Sequence, residues 1–146
     1  MKTYLKRLIL LITIISLTSC ASGPTYDAFK TTVPDLNSDI GRIYVYRLSA
    51  LGAAIRPDVM LNGEKIGDAI AKGFFYVDRP AGSYEMITST EVDRKLSFTL
   101  ESNQTRYIRL RVSMGFFVGH VYPELVEKSE ALEDLKYCKY TQSKKD

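Results

Sequence analysis

The sequence contains no tryptophan, one histidine and two cysteines among its 146 residues. A zinc site needs three or four clustered ligands, and hydrolytic catalysis needs a nucleophile within hydrogen-bond reach of a base. One histidine without a second ligand signal meets neither requirement. We therefore expect no metal, no cofactor and no catalytic residues, and the protein is predicted not to be an enzyme.

An excess of positive charge is also absent once the N-terminus is set aside. The chain has a formal net charge of +3, and Lys2, Lys6 and Arg7 account for all of it. Residues 20–146 contain equal numbers of basic and acidic side chains. A net positive field therefore gives no reason to expect a nucleic acid as partner.

The first nineteen residues have the layout of a secretory signal peptide. A basic head precedes the apolar run Leu8–Ile15, which is far shorter than the roughly 20 residues of a transmembrane helix. The tetrapeptide Leu17–Cys20 resembles the bacterial lipobox, in which the peptidase cuts before the cysteine and the thiol receives a diacylglycerol. The alternative is an ordinary cleaved signal that happens to end near a cysteine.

Lipidation of Cys20 would anchor the protein to a membrane, because each buried methylene of an acyl chain contributes roughly 0.8 kcal/mol. Ala21 after the cysteine is typical of outer-membrane cargo, so we expect an anchor on the periplasmic side of the outer membrane. Cys138 is then left without a partner for an intramolecular disulfide. We expect it to be buried, and the alternative is a disulfide between two chains.

Residues 20–40 contain glycine, proline and threonine with little hydrophobic periodicity, which is typical of a tether. A flexible coil of this length has a root-mean-square span of roughly 25 Å. Tyr26 and Phe29 are nevertheless candidates for docking on the domain. Residues 41–141 are predicted to form that domain, and residues 142–146 a polar tail.

The domain consists of short runs rich in Ile, Val, Tyr and Phe between turn residues, which predicts strands. Asn62-Gly63 predicts a type I′ hairpin, because both residues of that turn need a positive φ. Ser129 is predicted to cap a final helix, with Leu132 and Leu135 facing the domain. The expected fold is an antiparallel β-sandwich of about seven strands with a short C-terminal helix. The seven runs are Arg42–Leu48, Asp58–Leu61, Glu64–Ile70, Phe74–Arg79, Ser83–Thr88, Lys95–Leu100 and Thr105–Val112.

Four segments carry a hairpin and strand signature, namely Gly41–Arg47, Leu61–Gly67, Phe74–Pro80 and Arg106–Arg109. Together they resemble bacterial lipoproteins of the domain-of-unknown-function family 2846, over about residues 41–140. The resemblance implies a small sandwich of the transthyretin-like or carboxypeptidase-regulatory type. Since no active site is established for that family, the resemblance implies no functional residue besides the lipidated cysteine.

The alternation of Thr105–Val112 identifies one candidate interaction surface. It directs Tyr107, Arg109 and Arg111 outward, while the apolar residues between them face the core. An aromatic ring and two guanidinium groups suit sugars and anionic groups such as phosphate or carboxylate. The alternative is a solvated sheet face.

A second candidate surface is the segment Gly115–Gly119, where two glycines bracket Phe116 and Phe117. An apolar loop at this position would meet a partner or the membrane, with His120 beside it. The alternatives are a buried strand or bulge that closes the sandwich, and a loop or half-buried histidine.

The leading functional hypothesis is a membrane-anchored, non-catalytic module that binds or scaffolds another component of the bacterial envelope. The alternative is a module that binds carbohydrate such as peptidoglycan, a role that sandwiches often have. A hydrolase is the third and weakest hypothesis, because glycosidase chemistry needs two carboxylates at a set separation across a cleft.

Overall fold

The computed structural model describes residues 20–90, 93–114 and 119–142. The predicted signal peptide, Phe116, Phe117 and residues 143–146 of the predicted tail lie outside these ranges. Within the ranges, the elements in chain order are α1 (Tyr26–Phe29), β1 (Ile40–Arg47), β2 (Asp58–Leu61), β3 (Glu64–Asp68), β4 (Gly73–Pro80), β5 (Gly82–Ser89), β6 (Asp93–Leu100), β7 (Thr105–Met114), β8 (Gly119–Val126), α2 (Lys128–Leu135) and β9 (Lys139–Tyr140).

The strands form two sheets, one with the order β8-β7-β1-β4-β9 and one with the order β3-β2-β5-β6. The sheets pack as a sandwich, which confirms the predicted mainly β fold with a short C-terminal helix. Two features differ from the prediction: the described residues contain nine strands, and β1–β7 and β4–β9 are parallel pairs. Parallel neighbours need a long crossover connection. The chain between β1 and β7 supplies this connection, because it forms the strands of the four-stranded sheet before it returns as β7.

The predicted hairpin at Asn62-Gly63 is confirmed. Asn62 has a φ of 48° and Gly63 a φ of 85°, as a type I′ turn requires, and the turn joins the antiparallel strands β2 and β3. The turn after Pro80 has a different role. It connects β4 to β5, which belong to opposite sheets.

The main core lies between the sheets and is built from side chains that alternate along each strand. On β6 and β7 the predicted inward residues Leu100, Ile108 and Leu110 are at most 2% exposed. Thr88 is the one polar side chain in this core among the described residues, and its hydroxyl donates to the carbonyl of Val121 at 2.6 Å. We call this cluster the inner layer.

A second hydrophobic cluster covers the opposite face of the five-stranded sheet, beneath the two helices. We call it the outer layer, and its buried members are Tyr26, Tyr44, Tyr46, Phe74, Tyr107, Ala131, Leu135 and Cys138. Cys138 is 1% exposed, which confirms its predicted burial. Burial also raises the pKa of its thiol to about 12.

The segment after Cys20 is docked on the domain. The amide of Ala21 donates to the carbonyl of Ala71 at 3.0 Å, and the amide of Tyr140 donates to Pro24 at 2.8 Å. Phe29 stacks on Tyr140, with 4.0 Å between ring centroids. The expectation of a free coil is therefore wrong for residues 20–29, whereas the suggested docking of Tyr26 and Phe29 is confirmed.

The final helix, α2, packs on the five-stranded sheet through Ala131 and Leu135, both of which are 0% exposed. The prediction that Ser129 caps this helix is wrong. The helix begins at Lys128, with Glu127 as an extended N-cap residue that makes no side-chain cap bond. Over the part of the chain that the structure describes, no helix has the length and hydropathy to cross a bilayer.

Candidate functional site

One end of the sandwich brings the start of the docked segment together with several strand ends. Arg47, the last residue of β1, pairs with Gly73 of β4, and Gly73 pairs with Lys139 of β9. Cys20 forms a bridge with Ala71, just before β4. Because β7 runs parallel to β1, its last residues point toward the same end. We call this region the Cys20 end.

A cleft of about 560 Å³ opens at the Cys20 end, where β7 continues beyond its neighbour β1. The paired residues of the two strands end at Tyr46 and Arg109, whereas β7 extends to Met114. We call it the β7 cleft, and it is lined by Leu48, Ser49, Lys72, Arg109, Leu110, Arg111 and Val112. Aliphatic side chains and three cations together suit a ligand with an anionic group beside an apolar one.

Arg109, one of the predicted surface residues, is already occupied by carboxylates. Its guanidinium donates to Glu124 and Glu130 at 2.6 Å each and to Asp134 at 3.1 Å. Burial lowers the pKa of Arg109, but these hydrogen bonds raise it by more. Arg109 therefore holds α2 and β8 to β7, and its charge is largely neutralised.

The other two cations of the cleft are more available. The Arg111 side chain is 68% exposed, and its distance to the Glu124 carboxylate is 3.8 Å. Lys72 is half-buried, and no described carboxylate lies within ion-pair distance of its ammonium group. An anion entering the β7 cleft would therefore meet Lys72 and Arg111 first.

Tyr107 does not lie on an open face. Its side chain is 6% exposed, and its ring stacks on Tyr44 with 5.6 Å between centroids. The alternation along β7 correctly places Tyr107 on the side opposite Ile108, but the outer layer covers that side. A period of two shows which side a residue faces and says nothing of what packs on that side.

His120 lies on β8, half-buried and paired in register with Ser113 of β7. Within the described ranges, no group of three or more His, Cys, Asp or Glu side chains is arranged to hold a metal ion. Phe116 and Phe117, the remaining predicted surface residues, belong to a segment that the structure does not describe.

The profile of a family described as "Protein of unknown function (DUF2846)" matches residues 37–121. The chain belongs to this family. An uncharacterized protein of Haemophilus influenzae is 32% identical over 89 residues, which are 60% of this chain and 53% of that protein. The match thus spans about half the length of that relative. No solved structure matches the chain.

The DUF2846 match covers most of the sandwich and leaves out both of its attachments. It includes Lys72 and Arg111 of the β7 cleft, but it begins after Cys20 and α1 and ends before α2. The cleft cations are thus part of the DUF2846 region, whereas the docked segment and the C-terminal helix lie outside the matched residues.

The buried side chain of Arg47 stabilises the loops at the Cys20 end. The sequence patterns did not identify it as a candidate functional residue. Its side chain is 1% exposed, and its guanidinium donates to the carbonyls of Leu51, Gly52, Ile55 and Ala69 at 2.6 to 2.9 Å. Burial lowers its pKa. Four bonds from one group fix the loop after β1 and the residues before β4, and both segments border the β7 cleft. The one available signal was a charged residue directly after the apolar run Ile43–Tyr46 of β1.

Proposed function

We propose that this DUF2846 protein is a lipid-anchored, non-catalytic binding module of the bacterial envelope. The observation that supports the anchor is the position of Cys20, which is exposed at one end of the domain and directly follows the predicted signal peptide. Acyl chains attached to Cys20 would extend away from the domain without crossing any part of it. Removal of the residues before Cys20 would not disturb the contacts that begin at Ala21.

The β7 cleft is the proposed binding site, and its ligand is an anionic group of another envelope component. Lys72 and Arg111 supply the positive charge, and Leu48 and Val112 supply apolar surface. The cleft walls are fixed by the bonds of Arg47, so binding would cost little ordering of the loop. Binding requires no residue of the cleft to act as nucleophile or base.

Cys20→Ala tests the anchor. The parent chain should appear in the membrane fraction with the mass of an acylated Cys20, and the variant should remain unprocessed or unacylated. Cys138→Ala is the matched control, because it removes the other cysteine and leaves the anchor intact. A Cys20→Ala variant that is processed and still sediments with membranes would contradict the proposal.

A photo-crosslinking residue in place of Ser49 tests the cleft in intact cells. The expected result is a crosslinked envelope component whose yield falls when Lys72→Glu and Arg111→Glu are introduced together. Lys128→Glu is the control, since this exposed lysine lies at the opposite end of the sandwich. Capture of peptidoglycan fragments would favour the carbohydrate alternative, and an unchanged yield in the double variant would refute the cleft.

A further inference from the structure

We propose that the Cys20 end lies directly on the anchoring bilayer, and that the β7 cleft and Lys139 beside it bind the headgroups of anionic phospholipids. The inference rests on the proposed lipidation of Cys20 and names the ligand of the same cleft. It depends on three independent features of this end: a docked anchor segment, unneutralised cations and exposed apolar side chains.

Because the segment after Cys20 is docked, no flexible linker separates the proposed lipid from the domain. Cys20 forms a parallel bridge with Ala71, in which the amide of Ala21 donates to the Ala71 carbonyl at 3.0 Å. Thr25 then forms a bridge with Lys139. At Gly23 the fit is so close that a Cβ atom would lie 2.1 Å from the carbonyl oxygen of Tyr140. The acyl chains would therefore leave from the domain surface, and this end would meet the headgroups.

The cations at this end have the sign that anionic headgroups require. Lys72 and Lys139 have no ion-pair partner among the described carboxylates, and Arg111 has one at 3.8 Å. Charges on an exposed surface act only within a Debye length, which is roughly 8 Å at physiological ionic strength. A coil of about 25 Å would have placed these side chains out of range. The docked segment places them within range.

The neighbouring carboxylates are held by other cations. Asp58 and Asp68, which flank the Cys20 end on the other sheet, both lie within 2.8 Å of the Lys65 ammonium group. Glu133, near the end of α2, is held by Lys136 at 2.6 Å. Asp58 and Asp68 share Lys65, and Glu124, Glu130 and Asp134 share Arg109. Lys72 and Lys139 have no ion-pair partner among the described carboxylates and remain available for phosphate.

Exposed apolar side chains are concentrated at the same end. Leu51 is 48% exposed and Tyr137 is 70% exposed, and they are two of the three large hydrophobic residues exposed in the described ranges. Leu51 follows β1 and bonds Arg47 through its carbonyl, while Tyr137 lies between α2 and Lys139. A tyrosine at headgroup depth keeps its ring in apolar surroundings and its hydroxyl in water. Both residues are thus placed to contact the bilayer surface.

The test uses the processed, lipidated protein in vesicles of about two parts phosphatidylcholine to one part phosphatidylglycerol. A fluorophore is attached to an introduced Ser49→Cys or, as the matched control, Lys128→Cys, and quenched by nitroxide-labelled headgroups. Cys138 will not compete for the label because its thiol is buried. We expect strong quenching at position 49 and little at position 128. Equal, weak quenching at both positions would overturn the inference.

Charge reversal completes the test. A basic side chain at an anionic surface favours contact by about fivefold, so Lys72→Glu with Lys139→Glu should shift the ratio of contacting to lifted orientations by at least about 25-fold. Lys128→Glu should leave quenching unchanged, whereas omission of phosphatidylglycerol should reduce quenching in the parent and not in the double variant. Quenching that ignores both charge and lipid composition would refute headgroup binding. Lack of acylation, seen by mass, would instead refute the anchor.

Discussion

The two hydrophobic layers of this protein lie on opposite faces of one sheet and are built differently. The inner layer is composed of aliphatic residues, methionine and phenylalanine around the single hydroxyl of Thr88. The outer layer contains four buried tyrosines and a cysteine, and the salt bridges of Arg42 and Arg109 lie on the same face of the sheet. Apart from the hydrogen bond of Thr88, the inner layer therefore depends on apolar packing, whereas the outer layer also depends on polar groups that titrate and respond to salt.

The difference shows how a small sandwich covers a second sheet face without a third sheet. Tyrosine supplies a large apolar ring and a hydroxyl that can reach a partner at the rim of the layer. Tyr46 does this by donating to Asp134 of α2 at 2.9 Å, and the same carboxylate accepts a bond from Arg109. The helix is thus attached to the sheet by rings below and by charges at its edge.

The largest expected effect comes from Phe75 and Phe74, adjacent residues of β4 that face opposite layers and are at most 2% exposed. Phe75→Ala should lower the free energy of unfolding by about 4 kcal/mol, since the inner layer cannot collapse into the cavity. Phe74→Ala should cost less, about 3 kcal/mol, because α1 and β9 can shift toward the gap. Urea unfolding measures both. A larger loss for Phe74→Ala would show that the outer layer is the more rigid one.

The second-largest effect is expected for Arg109→Met, which should destabilise the outer layer and leave the inner layer unchanged. The substitution leaves Glu124, Glu130 and Asp134 without their shared cation, which should cost about 2 kcal/mol. Amide hydrogen exchange should accelerate in α2, while the strands of the inner layer keep their protection. Arg111→Met is the matched control on the same strand, since its side chain is 68% exposed. Uniform acceleration across both sheets would contradict separate layers.

High pH should weaken the outer layer before it affects the inner one. Burial raises the pKa of Tyr26, Tyr46 and Tyr107, and that of Tyr44 to about 12. The neutral phenol is favoured in the folded state, so this stability is complete below pH 10 and is lost between pH 10 and about 12. At about pH 11, the free energy of unfolding of Tyr44→Phe should have fallen by about 1 kcal/mol less than that of the parent, as measured by urea unfolding. Parallel pH profiles for the two proteins would contradict this assignment.

The smallest expected effect concerns the start of α2. Ser129→Ala should change the free energy of unfolding by less than about 0.5 kcal/mol, because Ser129 lies inside the helix and caps nothing. A true N-cap serine would cost about 1 kcal/mol on substitution. Thermal unfolding of the variant decides between these values. A loss near 1 kcal/mol would restore Ser129 as the cap.

Local patterns predicted much of the inner layer. Asn62-Gly63 specifies its turn because only that backbone geometry joins the strands with the right twist, and the alternation of β6 and β7 identifies Leu100, Ile108 and Leu110 as buried. These predictions succeeded because each depends on neighbours within a few residues of the chain.

The outer layer and the candidate site depend on contacts that are distant in the chain. Tyr107 was placed on the correct side of β7, but its cover comes from residues such as Tyr26 and Leu135. Arg109 was predicted to lie on a surface, and three carboxylates from β8 and α2 neutralise it. Lys72 joins the cleft only because β1 stops beside it. No periodicity in the sequence encodes such contacts between residues that are distant in the chain.

By itself, the sequence determined the mainly β class, the hairpin, the inward face of each patterned strand and the basis for proposing a lipid at Cys20. Tertiary structure alone decided that the docked segment begins directly after Cys20, that two strand pairs are parallel and that the β7 cleft opens beside Cys20. The physical reason is range. Alternation and turn chemistry act between neighbouring residues, whereas docking needs surfaces such as Tyr140 and Ala71, which reach the N-terminal segment only after the sheets have formed.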